Sequence, residues 1–78
     1  MKKTNLSKAL RRLRDDERRG AGVHRLTLRG IALQRRLSSE LADELPHEFW
    51  HWLSDFDVRK KSAEVAVEQN AFIDELIR

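Results

Sequence analysis

The chain has 78 residues, no cysteine, and 16 lysine and arginine residues against 13 acids, which gives a net charge of +3. This length predicts a single domain over residues 1–78, and the absence of cysteine excludes disulfides and thiolate metal sites. The apolar runs are too short to span a membrane, and no apolar segment of signal-peptide type follows Met1, so we expect a cytoplasmic protein.

The charges are divided unevenly along the chain. Residues 1–36 hold 12 lysine and arginine residues and three acids, a net +9, whereas residues 37–78 hold four and ten, a net −6. Such asymmetry is typical of proteins that bind nucleic acid or a membrane surface, and no membrane partner is expected here. The alternative is that the basic half (residues 1–36) docks on the acidic half (residues 37–78), within one chain or in a homodimer.

Two helices are predicted in the first 43 residues. The first covers residues 6–19, where leucines recur on one face, and ends at a glycine-rich turn. The second is predicted over residues 31–43. Between them, residues 23–29 are either the first turns of the second helix or an extended segment, because Leu26 and Leu28 alternate with polar residues. Gly30 argues against one continuous helix, since glycine costs about 1 kcal/mol inside a helix.

Two further elements are predicted after Pro46, which favours the start of a new helix. One short helix ends near Ser54 and carries most of the aromatic residues, and a last helix follows over residues 58–78 with a broad apolar stripe. The fold class is therefore all-α: a small bundle or open array of three to four helices, with one short extended segment as the alternative at residues 23–29.

Nine arginines are concentrated within 26 positions of the basic half. Arginine suits phosphate because its planar guanidinium offers a fork of donors and keeps its charge. Several such contacts would give binding that weakens steeply with salt. The candidate nucleic-acid-binding residues are Arg11, Arg12, Arg14, Arg18, Arg19, Arg25, Arg29, Arg35 and Arg36.

The segment His-Arg-Leu-Thr-Leu-Arg, which begins at His24 and is followed by a helix, resembles the opening of ribbon–helix–helix DNA-binding proteins. In that family a strand alternates polar residues that face DNA with buried apolar ones, and a dimer pairs two such strands. The resemblance implies that Arg25, Thr27 and Arg29 face DNA. It covers these six residues only; here a whole helix precedes the segment, and Pro46 stands where the family has a glycine-containing turn.

The segment His47-Glu48-Phe49-Trp50-His51 matches the H-E-x-x-H pattern of zinc metalloproteases. That pattern places two imidazoles one helical turn apart around zinc and a glutamate beside the bound water. The chain is short for a protease, Pro46 leaves His47 in the first turn of its helix, and Trp50 is bulky for the position. We therefore predict no catalytic residue and no cofactor, and retain His47 and His51 as candidate metal ligands.

The same segment also predicts a protein-binding surface. Phe49, Leu53 and Phe56 share one helical face and are expected in the core, so at least one tryptophan should be exposed. Exposed tryptophan often anchors protein interfaces. The candidate partner-binding residues are Trp50, Trp52, Glu48 and Asp55.

Taken together, the sequence predicts a small non-enzymatic regulatory protein that binds nucleic acid or a ribonucleoprotein through its arginine-rich half. The alternative is a protein-binding adaptor or inhibitor, of the phage or plasmid type, that acts through the acidic aromatic segment at residues 47–57. A zinc-binding protein or hydrolase is a third and more distant alternative.

Overall fold

The computed structural model of the protein describes residues 1–78 and contains six α-helices and no strand. The helices are α1 (Lys3–Arg18), α2 (Val23–Arg36), α3 (Ser39–Glu44), α4 (His47–Ser54), α5 (Phe56–Lys61) and α6 (Ala63–Leu76). The all-α fold class is confirmed, although six helices replace the predicted three to four. No helix is both long and apolar enough to cross a membrane.

The additional helices arise because two long predicted helices are interrupted at serines. Leu37 leaves the helical conformation with ψ of 134°, and the Ser38 hydroxyl accepts a hydrogen bond at 3.2 Å from the backbone N–H three residues later. Ser62, with φ of −130° and ψ of 108°, caps α6 in the same way at 3.3 Å. Serine competes with the helical backbone and favours the cap position, which explains both breaks.

Residues 23–29 are the first turns of α2, so the extended alternative and the strand implied by the ribbon–helix–helix resemblance are wrong. Gly30, which argued against a continuous helix, lies buried inside α2. A Cβ atom at this position would lie 3.0 Å from the backbone oxygen of Leu53 and 3.3 Å from the ring of Phe56. Glycine therefore lets α2 approach the chain at the end of α4 and the start of α5 more closely than any other residue would.

One hydrophobic core joins the helices, and its largest members come from α4 and α5. The leucines of α1 that share one face are buried as the spacing predicts. Val58, by contrast, is 39% exposed although the spacing placed it on the apolar stripe of the last predicted helix, because the break at Ser62 gives α5 and α6 separate faces. The buried apolar residues are Leu6, Leu10, Leu13, Leu26, Leu33, Leu41, Phe49, Trp52, Leu53, Phe56, Ile73 and Ile77.

Candidate nucleic-acid interface

Helices α1 and α2 form an antiparallel pair joined by a turn in which Gly20 has a φ of +92°. Lys8 and Arg12 of α1 line the same surface depression as Arg36 near the end of α2. Arg19, at the end of α1, likewise lines a depression with Arg25 near the start of α2. The antiparallel arrangement thus collects cations that are far apart in sequence. We call this surface the basic groove; it is lined by Lys8, Ala9, Arg12, Asp16, Arg19, Arg25, Arg29, Ala32 and Arg36.

Three of the nine predicted arginines contact α6 or the residue that follows it. Arg14 donates to the Asp74 carboxylate at 2.7 Å, and Arg18 donates to its other oxygen at 3.1 Å. Arg11 donates to the backbone oxygen of Ile77 at 2.6 Å. The hydrogen bond to Asp74 raises the pKa of Arg14. These three side chains hold α1 against the C-terminal end of the chain. Their guanidinium groups already form hydrogen bonds within the molecule and are therefore less available to nucleic acid.

Arg29 is also engaged within the molecule, by Asp16 of α1. The hydrogen bond from Arg29 holds the pKa of Asp16 below its usual range, while partial burial of the carboxylate opposes that change. The pair lies in the middle of the basic groove and links its two helices. Arg29 therefore contributes structure to the groove, and its charge is partly neutralised there.

The other five predicted arginines are exposed and have no carboxylate within 4.0 Å. The three lysines of the basic half are likewise exposed and unpaired, and only Lys8 of these lines the basic groove; the sequence analysis did not include it. Its position four residues before Arg12 was the signal that could have found it. The free cations of the basic half are Lys2, Lys3, Lys8, Arg12, Arg19, Arg25, Arg35 and Arg36.

These cations are free because every acid of the basic half already has a partner. Asp15 pairs with Arg14, and Asp16 pairs with Arg29. Glu17 pairs with Arg59, which comes from α5 in the acidic half. The charge pattern also allowed the basic half to dock on the acidic half. In the structure, only Arg14 and Arg18 of the nine predicted arginines pair with a carboxylate of the acidic half.

Arg59 is a buried cation that the sequence analysis did not single out, with a side chain only 2% exposed. Its Nε donates to both carboxylate oxygens of Glu17 at 3.2 and 3.0 Å, and Nη1 donates to the Trp52 carbonyl oxygen and to Gln69. The guanidinium lies over the rings of Trp52 and Phe56 at 4.7 and 4.6 Å. Burial lowers the pKa of Arg59 from its ordinary value and the Glu17 carboxylate opposes that change, so the ion pair offsets part of the cost of burying this charge.

The prediction that Trp52 contacts a partner is wrong, because its side chain is 0% exposed. Helix α4 packs against both α2 and α6, so two of its faces are covered and Trp52 points inward together with Phe49. The indole Nε1 donates to Asn70 of α6 at 3.1 Å, which satisfies the polar atom of the buried ring.

The rest of the predicted partner-binding surface is small. Trp50 is half-buried, with its ring edge-to-face against Phe49 at 4.9 Å. Asp55 is half-buried and accepts a hydrogen bond from Gln69 at 2.8 Å, so it has a role within the fold. Glu48 is exposed. Of the four predicted residues, Glu48 and part of Trp50 are available to a partner.

The two histidines of the H-E-x-x-H segment lie one turn apart on α4, and both are exposed. No group of three or more histidine, aspartate and glutamate side chains in the structure is placed to hold a metal ion. A catalytic zinc site takes three protein ligands and keeps one position open. His47 and His51 therefore lack the third ligand that the metalloprotease resemblance requires.

Comparisons with protein families, with curated proteins and with solved structures found no match to this chain.

Proposed function

We propose that this protein is a small non-enzymatic regulator that binds nucleic acid through its basic groove. One observation carries the proposal: the groove holds five cations without a carboxylate partner, at its two ends and on both helices. The three acids of the basic half each pair with another arginine, and of these acids only Asp16 lies in the groove, where it pairs with Arg29. The five residues are Lys8, Arg12, Arg19, Arg25 and Arg36.

The dimensions of the groove favour a polyanion over a small anion. Lys8 and Arg19 are eleven residues apart on or just after α1, which corresponds to about 16 Å at 1.5 Å per residue. One strand of duplex DNA carries one phosphate per about 3.4 Å of helix axis. The groove therefore spans about five phosphates of one strand.

The chemistry of the groove favours contact with the sugar–phosphate backbone of a duplex. Neither α1 nor α2 contains a phenylalanine, tyrosine or tryptophan, so the imidazole of His24 is the one ring there that could stack on unpaired bases. Backbone contacts position a protein without reading sequence. We expect duplex binding that is strongly salt-dependent and weakly selective for sequence.

The proposal is tested by fluorescence anisotropy with labelled duplex DNA, duplex RNA and single-stranded DNA of about 20 nucleotides, between about 50 and 200 mM salt. Neutralisation of about five phosphates predicts a slope of about −4.5 in a plot of log K against log salt concentration for duplex DNA. Absence of binding to any of the three at the lowest salt concentration would refute the proposal.

A matched pair of double variants separates the groove from overall charge. Arg12→Ala with Arg36→Ala removes two groove cations, and should weaken duplex binding at least about tenfold and reduce the salt slope by about 2. Lys60→Ala with Lys61→Ala removes the same charge from exposed residues of α5 and should have a much smaller effect. Equal losses in both variants would show that net charge, and not the groove, drives binding.

A protein partner of basic charge is the second candidate function. Seven acids of the acidic half have no ion-pair partner, and the exposed Glu48 lies on the same helix, α4, as the half-buried Trp50. Trp50→Ala should then reduce the set of proteins that co-purify from the native cell while the helical content is preserved. An unchanged set would remove this candidate.

A further inference from the structure

His47 and His51 bring two imidazole nitrogens unusually close on an exposed surface. Their Nε2 atoms are 2.9 Å apart, and their rings meet edge-to-face with centroids 4.5 Å apart. At this distance one nitrogen donates its proton and the other offers its lone pair, because two N–H groups would repel each other. The pair therefore holds two potential metal ligands at a short distance, with one shared proton between them.

Asp55 supports one of these histidines from the next helical turn. Its carboxylate lies 3.9 Å from Nδ1 of His51, and the same carboxylate is held by a hydrogen bond from Gln69 at 2.8 Å. A carboxylate on this side favours the proton on Nδ1, which leaves the lone pair of Nε2 pointing toward His47. Metal-ligating histidines in proteins commonly have a carboxylate in this outer position.

We propose that His47 and His51 form a two-imidazole site for a late first-row divalent cation. Two metal–nitrogen bonds of about 2.05 Å at a right angle place the nitrogens about 2.9 Å apart. The observed spacing fits the adjacent positions of a tetragonal Cu²⁺ or Ni²⁺ ion. A tetrahedral Zn²⁺ ion needs about 3.3 Å, which is an opening of about 0.4 Å between two exposed side chains.

Binding of the metal moves one proton within His47. The metal replaces the proton on Nε2 of His47, and that imidazole carries its proton on Nδ1 instead, so both ligands are neutral and the cation keeps its full charge. Water fills the other coordination positions, because the chain supplies no third ligand. The site is independent of the proposed nucleic-acid binding, since it lies on α4 and uses none of the groove residues.

The experiment is isothermal titration of untagged full-length protein with NiCl₂, repeated with CuCl₂ and ZnCl₂. The wild type should bind one ion, with the order Cu²⁺ tighter than Ni²⁺ and Zn²⁺. His47→Ala and His51→Ala should each weaken binding at least about tenfold, because one ligand of a two-ligand site is lost. His24→Ala is the matched control, since it removes the exposed third histidine from α2 and should leave the titration unchanged.

A further variant tests the supporting carboxylate. Asp55→Asn keeps an acceptor for Gln69 but loses the charge behind His51, and should weaken Ni²⁺ binding by up to about tenfold. Far-ultraviolet circular dichroism of each variant checks that the helices are intact. Absence of binding to the wild type, or the same titration curve for His47→Ala and His51→Ala as for the wild type, would overturn the site.

Discussion

Each charged half of this protein contains a minority of residues with the opposite charge, and part of each minority is used inside the fold. In the α1–α2 pair, the acids are the minority, and all three of them form ion pairs within the molecule. In the region from α3 to α6, the cations are the minority, and Arg59 is the one that is buried at the centre of the fold. Most majority charges of each half, by contrast, face solvent without a partner.

The charge asymmetry is a surface property, and the fold depends on the exceptions to it. Glu17 and Arg59, each of the rarer sign in its half, meet at the boundary between the halves. Among the majority charges, Asp74 is the main one that forms ion pairs with the other half of the chain, and its partners are Arg14 and Arg18. Removing a minority charge that forms an ion pair inside the fold, such as Arg59, should therefore lower stability, and removing majority charges should mainly change binding.

The largest expected effect is that of Arg59→Ala. The substitution leaves the Glu17 carboxylate, 19% exposed, without its cation, and leaves the Trp52 carbonyl and Gln69 without their donor. Breaking a largely buried pair from one side should lower the free energy of unfolding by about 3 kcal/mol. Urea unfolding followed by circular dichroism measures the change.

The control for this variant removes both charges together. Glu17→Gln with Arg59→Met leaves no unpaired charge in the protein interior and keeps apolar contact with Trp52 and Phe56, so its loss should be clearly smaller. A double variant as unstable as Arg59→Ala would show that the unpaired Glu17 charge is not the cause of the loss, and that the hydrogen bonds of Arg59 to the Trp52 carbonyl and Gln69 stabilise the boundary between the halves.

The next effect, about 1 kcal/mol, is expected for Gly30→Ala, which tests the apolar part of the same boundary. Alanine favours the helix by about 1 kcal/mol, but overpacking costs about 1–3 kcal/mol, and here the new methyl group meets the backbone oxygen of Leu53 at 3.0 Å. We expect a net loss of about 1 kcal/mol in urea unfolding. Ala32→Gly, at an exposed position of α2, measures the helix preference alone; a stabilised Gly30→Ala protein would contradict the close approach.

Much of the fold could be predicted from the sequence where leucines recur at helical spacing. The buried face of α1 follows directly from Leu6, Leu10 and Leu13. The breaks at Ser38 and Ser62 could not be predicted in this way, because a serine can lie inside a helix or cap the next one, and the choice depends on tertiary packing. Gly30 was misjudged for the same reason: its cost to the helix is local, and its benefit is a contact with a distant segment.

The candidate site was predictable in composition but not in detail. The count of arginines pointed to the basic half, yet only the antiparallel placement of α2 against α1 brings Arg36 to Lys8 and Arg12. The pairing of Arg14 depends on the position of Asp74, sixty residues later. Trp52 is buried because α2 and α6 both cover α4. The periodicity of apolar residues within α4 cannot show that two of its faces are covered.

A smaller effect is expected for Asp74→Asn, which removes the majority charge that crosses between the halves. Asp74 is 43% exposed, and exposed ion pairs contribute about 0.2–1 kcal/mol, so the loss in unfolding free energy should stay below about 1 kcal/mol and shrink as salt is added. Duplex binding should not weaken, because Arg14 and Arg18 gain freedom. A loss above about 2 kcal/mol would show that majority charges also hold the fold together.

The smallest effect is expected from the Arg29–Asp16 pair, whose side chains are 34% and 36% exposed and which titrates in acid. Because the hydrogen bond from Arg29 lowers the pKa of Asp16 in the folded protein, the unfolded chain takes up this proton first as the pH falls. The stabilisation is therefore fully present above about pH 4 and is lost as the pH falls through the folded pKa of Asp16. The midpoint of urea unfolding should fall more steeply below about pH 4 in the wild type than in Arg29→Met, whose Asp16 keeps only the weaker influence of Arg19 and Arg25. Most other carboxylates titrate alike in both proteins, so the difference between the two pH profiles isolates this pair, and parallel profiles would mean that it stabilises neither helix.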